Sequence, residues 1–293
     1  MSARPARQVA AFERWLFAPG AAGRVRTMRL LLAALIALRL ATGPYRGLAG
    51  QPAALFRPVW FLAWMEQMPP LEVLATIQVV GVVAAVLAVA GWRERGTFLA
   101  SWCSLLVLAA LHGSRGKVQH NDLPLLLVAG VFAAAPVGLR VLDGRRSAAW
   151  GWPVRASLLL ITGIYFLTGY QKLVASGPAW VLSDNLRNVM YGARFNGHAP
   201  TDQLSLFIAE RPLLAQLVAL GTLAVELGAV AALVRPRLRP WYLVAVGTLH
   251  AGIYVTHGLD YSMWVGTAAI VLVDWHALVD RFIPRRDTDL VVA

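Results

Sequence analysis

The sequence predicts an all-α fold, a polytopic membrane helical bundle of about eight transmembrane helices with interfacial helices beside them. Two observations support this prediction. Of the 293 residues, 58% are hydrophobic and only 14% are charged, and a soluble domain of this length cannot bury so much apolar side chain. The apolar residues also fall into runs of about twenty, the length of a helix that crosses the hydrocarbon core of a bilayer.

The eight predicted spans follow from these runs, and residues 27–280 form one transmembrane domain. The spans cover about 28–45, 71–91, 97–113, 121–139, 153–174, 212–234, 240–257 and 261–279. Arginine clusters mark every second connection, at Arg93 and Arg95, then Arg140, Arg145 and Arg146, then Arg235, Arg237 and Arg239. Because cytoplasmic loops carry the excess of positive charge, we expect a multi-pass protein of the cell (cytoplasmic) membrane with both termini cytoplasmic.

The two ends of the chain are predicted to lie in the cytoplasm. Residues 1–26 place Val9, Phe12, Trp15 and Leu16 at helical spacing among arginines, which predicts an amphipathic segment on the inner membrane surface. Residues 281–293 form a short cytoplasmic tail.

Two long connections are predicted on the outer side. They cover residues 47–70 and 175–211, and both are more apolar than free loops. Each is expected to form interfacial or re-entrant helices over an outward-facing cavity. For the first, an ordinary packed loop explains the pattern equally well.

Composition argues against several classes of function. The net charge is +12, but the charges stand in short runs between apolar segments, a pattern of membrane orientation rather than of nucleic-acid binding. Cys103 is the single cysteine, so neither an intrachain disulfide nor a cysteine-based metal site can form. No metal site is predicted, although His250 and His257 lie a whole number of helical turns apart.

Lysine is unusually scarce. The chain has 25 arginines but two lysines, Lys117 and Lys172. An ammonium can lose its proton inside a protein whereas a guanidinium cannot, so the two lysines are candidates for positions that need a titratable amine. Alternatively they are chance survivors, or Lys172 snorkels from a helix end to the headgroups.

Lys172 is the candidate catalytic base. It falls near the outer end of the fifth predicted span, where Tyr165 and Thr168 share its helical face. An amine that is half-buried among apolar groups loses hydration, which favours its neutral, basic form.

Three further polar residues fall in or next to spans. His120 adjoins amides and the other lysine at the start of the fourth span, and Glu226 lies in the middle of the sixth, where a carboxylate must be neutral or paired. The candidate partners of Glu226 are Lys172, His250 and Arg39. A structural ion pair explains Glu226 as well as catalysis does. His250, with Tyr254 one turn further on, is expected to bond a ligand or Glu226.

The segment YFLTGYQKLVASGPAW, residues 165–180, resembles the hallmark of vitamin K-dependent gamma-carboxylase and of the HTTM (horizontally transferred transmembrane) family that shares its membrane domain. The resemblance covers roughly residues 100 to 275. It implies that Lys172 is the base that activates a vitamin K-like hydroquinone and that His120 is the family's essential histidine. The family's tryptophan, acidic residue and second histidine match Trp180, Glu226 and His250.

The resemblance therefore implies a quinol-dependent carboxylase- or epoxidase-like lyase or oxidoreductase with a reduced quinone as cofactor. Oxygen would then add to the quinol, and the strong base so formed would act on a second substrate. The quinol pocket would involve Tyr165, Thr168, Gln171, Trp180, Glu226, His250 and Tyr254. The expected partners are the lipid bilayer, the quinol, and a secreted or membrane protein, without nucleic acid.

This chain departs from the family in two places. Gln171 stands where the family has the first lysine of a pair, and the chain ends soon after the last span, without the extracytoplasmic β-rich region of the animal enzyme. We therefore expect the fold without glutamate carboxylation. The rival interpretation is a non-catalytic membrane scaffold or transporter-like subunit, in which the same charges form a structural network.

Overall fold

The fold is described by a computed structural model for residues 3–116, 120–137, 145–195, 200 and 202–282. Within these ranges almost every residue outside the connections is helical, as an all-α bundle requires. Lys117 and the predicted tail from residue 283 onward lie outside the described residues.

The helices follow the predicted apolar runs in order. They are α1 Ala3–Leu16, α2 Ala22–Thr42, α3 Leu71–Val89, α4 Glu94–Gly113, α5 Leu123–Ala134, α6 Ala148–Ser176, α7 Ala179–Leu182, α8 Asn185–Phe195, α9 Asp202–Ala209, α10 Pro212–Val234, α11 Arg239–His257, α12 Ser262–Leu272 and α13 Trp275–Phe282. Two short strands, β1 Gly20–Ala21 and β2 Arg146–Ser147, pair antiparallel, and short 3₁₀ turns lie at Tyr45–Leu48, Ala53–Leu55, Trp60–Leu62 and Pro236–Leu238.

Four of the described helices, α3, α4, α6 and α10, are long and apolar enough to cross a membrane, and the chain is therefore a multi-pass membrane protein. The pair α12 and α13 would add a fifth span, although the two helices are bent by 67°. Each of the eight predicted runs contains a helix, but α5 and α12 have only 12 and 11 residues. Eight spans therefore remain a prediction.

The fourth predicted span is shorter than expected because of a proline. It was predicted over 121–139, but α5 ends at Ala134. Pro136 disfavours the helical region for the residue before it, and Ala135 accordingly has an extended backbone.

The buried helix α2 lies at the centre of the bundle. It packs against α3, α4, α5, α6 and α12 and buries Leu32, Ile36 and Leu40 completely. It also buries Arg29, whose side chain is 1% exposed. The Arg29 guanidinium pairs with Glu94 at 3.3 Å and donates to the carbonyls of Phe132 and Ala135, so the unpaired C-terminal carbonyls of α5 find a donor inside the core.

The N-terminal segment and the first long connection have different outcomes. The predicted amphipathic helix near the N-terminus is α1, which exposes Val9 and Phe12 while Trp15 packs against the core.

In residues 47–70 the chain forms 3₁₀ turns instead of interfacial α-helices. Phe56 and Leu62 are buried there, so the packed loop is the correct alternative.

The second long connection contains three helices, α7, α8 and α9. Met190 of α8 and Ile208 of α9 form a small separate core with Ala209 and Ala215. This core fixes α8 and α9 against the start of α10.

Two glycines bring α6, α7 and α10 together. Gly177 ends α6 with φ +55° and donates its N–H to the Leu173 carbonyl at 2.8 Å, and Pro178 follows it directly, as at many helix C-termini. The turn folds α7 back beside the end of α6. At Gly169 a Cβ atom would lie 2.9 Å from the Glu226 Cβ, so the absence of a side chain lets α6 and α10 approach closely.

Candidate functional site

Lys172 of α6 and Glu226 of α10 form a salt bridge through Nζ and Oε1. The lysine side chain is 21% exposed and the glutamate side chain 7%. A carboxylate at this depth needs a partner, and of the three candidate partners in the sequence it has Lys172. Arg39 instead pairs with Asp122, at 2.6 Å between Nε and Oδ1.

Trp180 covers the same ammonium. The Lys172 Nζ lies 4.9 Å from the centroid of the Trp180 ring, within the range of a cation–π interaction. The Gly177 turn places the ring there, because it reverses the chain between the end of α6 and α7. The structure thus brings together Lys172, Glu226 and Trp180, three of the residues named as site candidates from the sequence.

Tyr165 and His250 form a second polar contact deeper in the bundle. The Tyr165 hydroxyl and the His250 Nε2 are 2.7 Å apart, and both residues are buried. The His250 ring packs at 5.0 Å from the Tyr261 ring and 5.7 Å from the Trp264 ring, centroid to centroid. Its Nδ1 is buried and has no hydrogen-bond partner among the described residues.

His120 lies with the Tyr165–His250 group and not beside Lys172. Its Nε2 lies 3.1 Å from the Tyr261 hydroxyl, and its backbone carbonyl accepts a hydrogen bond from the Trp264 indole at 3.2 Å. Asn121 beside it donates to the Asp260 carbonyl at 2.9 Å. These contacts hold the start of α5 against the start of α12.

The Lys172–Glu226 group and the Tyr165–His250 group approach each other at Glu226 and Tyr165. Tyr165 and Lys172 are seven residues apart on α6, which is about 10 Å along the helix axis, so they do not share one small pocket. Glu226 lies within electrostatic range of the hydroxyls of both Tyr165 and Tyr242. Its Oε2 is buried and has no hydrogen-bond partner in the part of the chain that the structure describes.

A cavity of about 500 Å³ opens beside the second group, within the size range of small-molecule sites. Lys172 and Glu226 do not line it. Its lining consists of Gly247, His250, Ala251, Tyr254, Asp260, Tyr261, Ser262 and Val265.

Two predicted pocket residues lie apart from both groups. Thr168 donates its hydroxyl to the Ile164 carbonyl of its own helix at 2.8 Å and is exposed. Gln171 is exposed as well. Tyr254 is 49% exposed but lines the cavity.

Sequence reasoning missed Tyr242, Tyr261 and Trp264. Tyr242 could have been found from the sequence, because it precedes His250 by eight residues, a spacing that places both on one face of a helix. Both are buried in α11. Tyr261 and Trp264 come just before and inside α12, where aromatic residues are ordinary interface anchors. Nothing in that local pattern distinguishes a site residue from an anchor.

No group of three histidine, cysteine or acidic side chains that could hold a metal ion occurs within the described ranges. The fold and the polar groups together define a multi-pass helical membrane protein. It has a half-buried lysine–glutamate pair and a cavity lined by a histidine. No protein-family model, curated protein or solved structure matches it.

We expect the two ionised groups to be energetically coupled. Lys172→Met leaves the Glu226 carboxylate unpaired, and Glu226→Gln leaves the ammonium half-buried, so each single variant should lower the free energy of unfolding. The double variant removes both charges and should cost less than the sum, with a coupling of about 1–3 kcal/mol.

Thermal unfolding of the four proteins in detergent measures this coupling. Thr168→Val, on the exposed face of α6, is the matched control and should change stability little. Additive effects of the two single variants would contradict an energetic coupling between Lys172 and Glu226.

Proposed function

We propose that this chain is a quinol-dependent membrane enzyme that resembles the HTTM family, with Lys172 as its base and the His250 cavity as its quinol site. The observation that carries the proposal is the set of polar groups between the two: Lys172 pairs with Glu226, the charge of Glu226 acts on the Tyr165 hydroxyl, and Tyr165 bonds His250 at the cavity. The reaction class is that of a carboxylase- or epoxidase-like lyase or oxidoreductase.

The cavity fits the chemistry of a quinol. A quinol is an aromatic ring with hydroxyl donors, and it would supply a weakly acidic hydroxyl and reducing equivalents when bound. The buried His250 Nδ1, which has no hydrogen-bond partner within the described part of the chain, would accept a bond from such a hydroxyl. Tyr254 and Tyr261 line the cavity, and aromatic side chains pack favourably against an aromatic ring.

In this proposal a proton passes from the cavity to the ion pair, and the step between Tyr165 and Glu226 requires their side chains to approach, because no hydrogen bond joins them in the structure. With His250 Nδ1 as the acceptor, its Nε2–H donates to the Tyr165 hydroxyl, which is then free to donate towards the carboxylate of Glu226. If Glu226 takes the Lys172 proton, both groups become neutral, which removes the cost of holding two charges in a medium of low dielectric constant. The neutral amine of Lys172 is then a general base.

The rival proposal is a non-catalytic scaffold or transporter-like subunit. The pairs Arg29–Glu94 and Arg39–Asp122 are buried in the same way, and neither borders the His250 cavity. A membrane bundle can therefore use such pairs for packing alone. The two proposals differ at residue 172, since a scaffold accepts arginine there and a general base does not.

We also propose eight spans with both termini in the cytoplasm, because the arginine clusters alternate along the chain. In a Cys103→Ala background, cysteine replaces Arg237 in one protein and Leu259 in another, both exposed. A membrane-impermeant thiol reagent added to whole cells should label position 259 and leave position 237 unlabelled. The opposite pattern would reverse the proposed orientation.

The enzyme proposal is tested by Lys172→Arg. The variant keeps the positive charge and its cation–π contact but stays protonated, so hydroquinone oxidation should fall by about 10²–10⁴-fold while insertion and folding are retained. The assay uses membranes that carry the wild type or the variant and a vitamin K-type hydroquinone.

The matched control is Lys117→Arg, at the other lysine in the sequence, which should keep the wild-type rate. Equal rates in the wild type and both variants would contradict a role for Lys172 as base. A wild type no more active than empty membranes would favour the scaffold.

A further inference from the structure

A second cavity, of about 440 Å³, lies at the opposite end of the bundle from Lys172. We call it the basic cavity because four arginines line it: Arg24, Arg146, Arg155 and Arg239. They come from α2, β2, α6 and the start of α11, positions far apart in the sequence. The fold therefore gathers these four charges from separate elements around one space.

The arginines are only partly neutralised. Arg24 pairs with Asp274 at 3.2 Å between Nη1 and Oδ2, and Asp280 also lines the cavity. Among the described residues that line the cavity, four guanidinium groups face two carboxylates, an excess of two positive charges. Arg155 lies within electrostatic range of Arg24 and Arg146, so these like charges repel one another unless an anion joins them.

The guanidinium groups are positioned by backbone carbonyls, which accept hydrogen bonds but carry no net charge. Arg146 donates to the Pro19 carbonyl at 3.2 Å, Arg155 to the Ala18 carbonyl, and Arg239 to the Ala232 carbonyl at 3.2 Å. Each guanidinium has five donors, and its bonds to the described residues use only a minority of them. The Arg24 Nε and the His276 Nδ1 are buried at this cavity with no hydrogen-bond partner among the described residues.

Two glycines shape the wall of the cavity. A Cβ atom on Gly20 would lie 2.6 Å from the Gly151 Cα, and one on Gly151 would collide with the Ala18 carbonyl. Both positions therefore need glycine for the segment before α2 to lie against α6. This close approach sets the carbonyl acceptors beside Arg146 and Arg155.

We propose that the basic cavity binds a phosphate-bearing anion, and that its source is the headgroup of an anionic phospholipid. Arginine is the residue best suited to phosphate, because its planar fork can donate two parallel hydrogen bonds. The wall also includes the apolar side chains of Trp15, Val154 and Leu158, which a lipid's glycerol and upper acyl groups would contact. A free phosphate would leave those apolar groups unused.

The position of the cavity agrees with a lipid source. Trp92 and Trp241 lie at the same end of the bundle and are 54% and 74% exposed, and tryptophans concentrate at the level of the headgroups. The short helix α13, which is bent away from α12 by 67°, contributes His276 and Asp280 to the wall. The cavity thus opens where headgroup phosphates lie.

The test is binding of short-chain phosphatidylglycerol to the detergent-purified full chain, followed by native mass spectrometry. Phosphatidylcholine of the same chain length is the lipid control and should bind more weakly, because its choline cation faces the arginines. Arg146→Gln with Arg239→Gln should weaken phosphatidylglycerol binding by about 30-fold. Arg235→Gln with Arg237→Gln, two exposed arginines at the same end, should change it less than about threefold.

Inorganic phosphate distinguishes the two sources of the anion. If it displaces the lipid at comparable concentration, the ligand is a free phosphate, and if it does not, the ligand is the lipid headgroup. Equal losses in the two double variants, or equal binding of the two lipids, would overturn the proposal. Should the Arg146→Gln and Arg239→Gln protein not fold, Arg146→Glu at its exposed position gives the same comparison.

Discussion

The cost of burying charge in an apolar bundle controls this structure. An ionised side chain loses most of its hydration there and persists only when it is paired and hydrogen-bonded. Arg29 with Glu94 joins α2 to α4, Arg39 with Asp122 joins α2 to α5, and Lys172 with Glu226 joins α6 to α10. Each pair therefore fixes which two helices are neighbours. Apolar helix surfaces alone are too similar to one another to specify this.

The Lys172 pair differs from the other two in its chemistry. Both arginine pairs hold a permanent cation, whereas the lysine can give its proton to Glu226 and become a neutral amine. Its glutamate also lies within electrostatic range of Tyr165, which bonds His250 at the cavity wall. A structural pair does not need a titratable amine, so this difference is the physical basis on which we propose chemistry at Lys172.

Local sequence patterns predicted the helices and part of the site. Apolar runs located every long helix. The depth of Glu226 predicts a carboxylate that is neutral or paired, and of its three candidate partners the structure pairs it with Lys172. Arg29 was missed because arginine before an apolar run usually indicates a surface position, and its buried partners, Glu94 and the α5 carbonyls, come from distant helices. Tyr261 was missed for the same reason: it contacts His250 and His120 only after α5, α11 and α12 pack. Tertiary contacts of this kind leave no periodic signal in the chain.

The central claim is that a quinol in the His250 cavity changes the protonation of Lys172. Because the sequence has two lysines, a protein labelled with ¹⁵N at lysine Nζ gives two side-chain signals, which Lys117→Arg assigns. Addition of a short-chain naphthohydroquinone without oxygen should shift the Lys172 signal, because a proton from the quinol reaches the ion pair, and should leave the Lys117 signal in place, and His250→Ala should abolish the shift. A Lys172 signal that stays unchanged at saturating quinol would contradict the account.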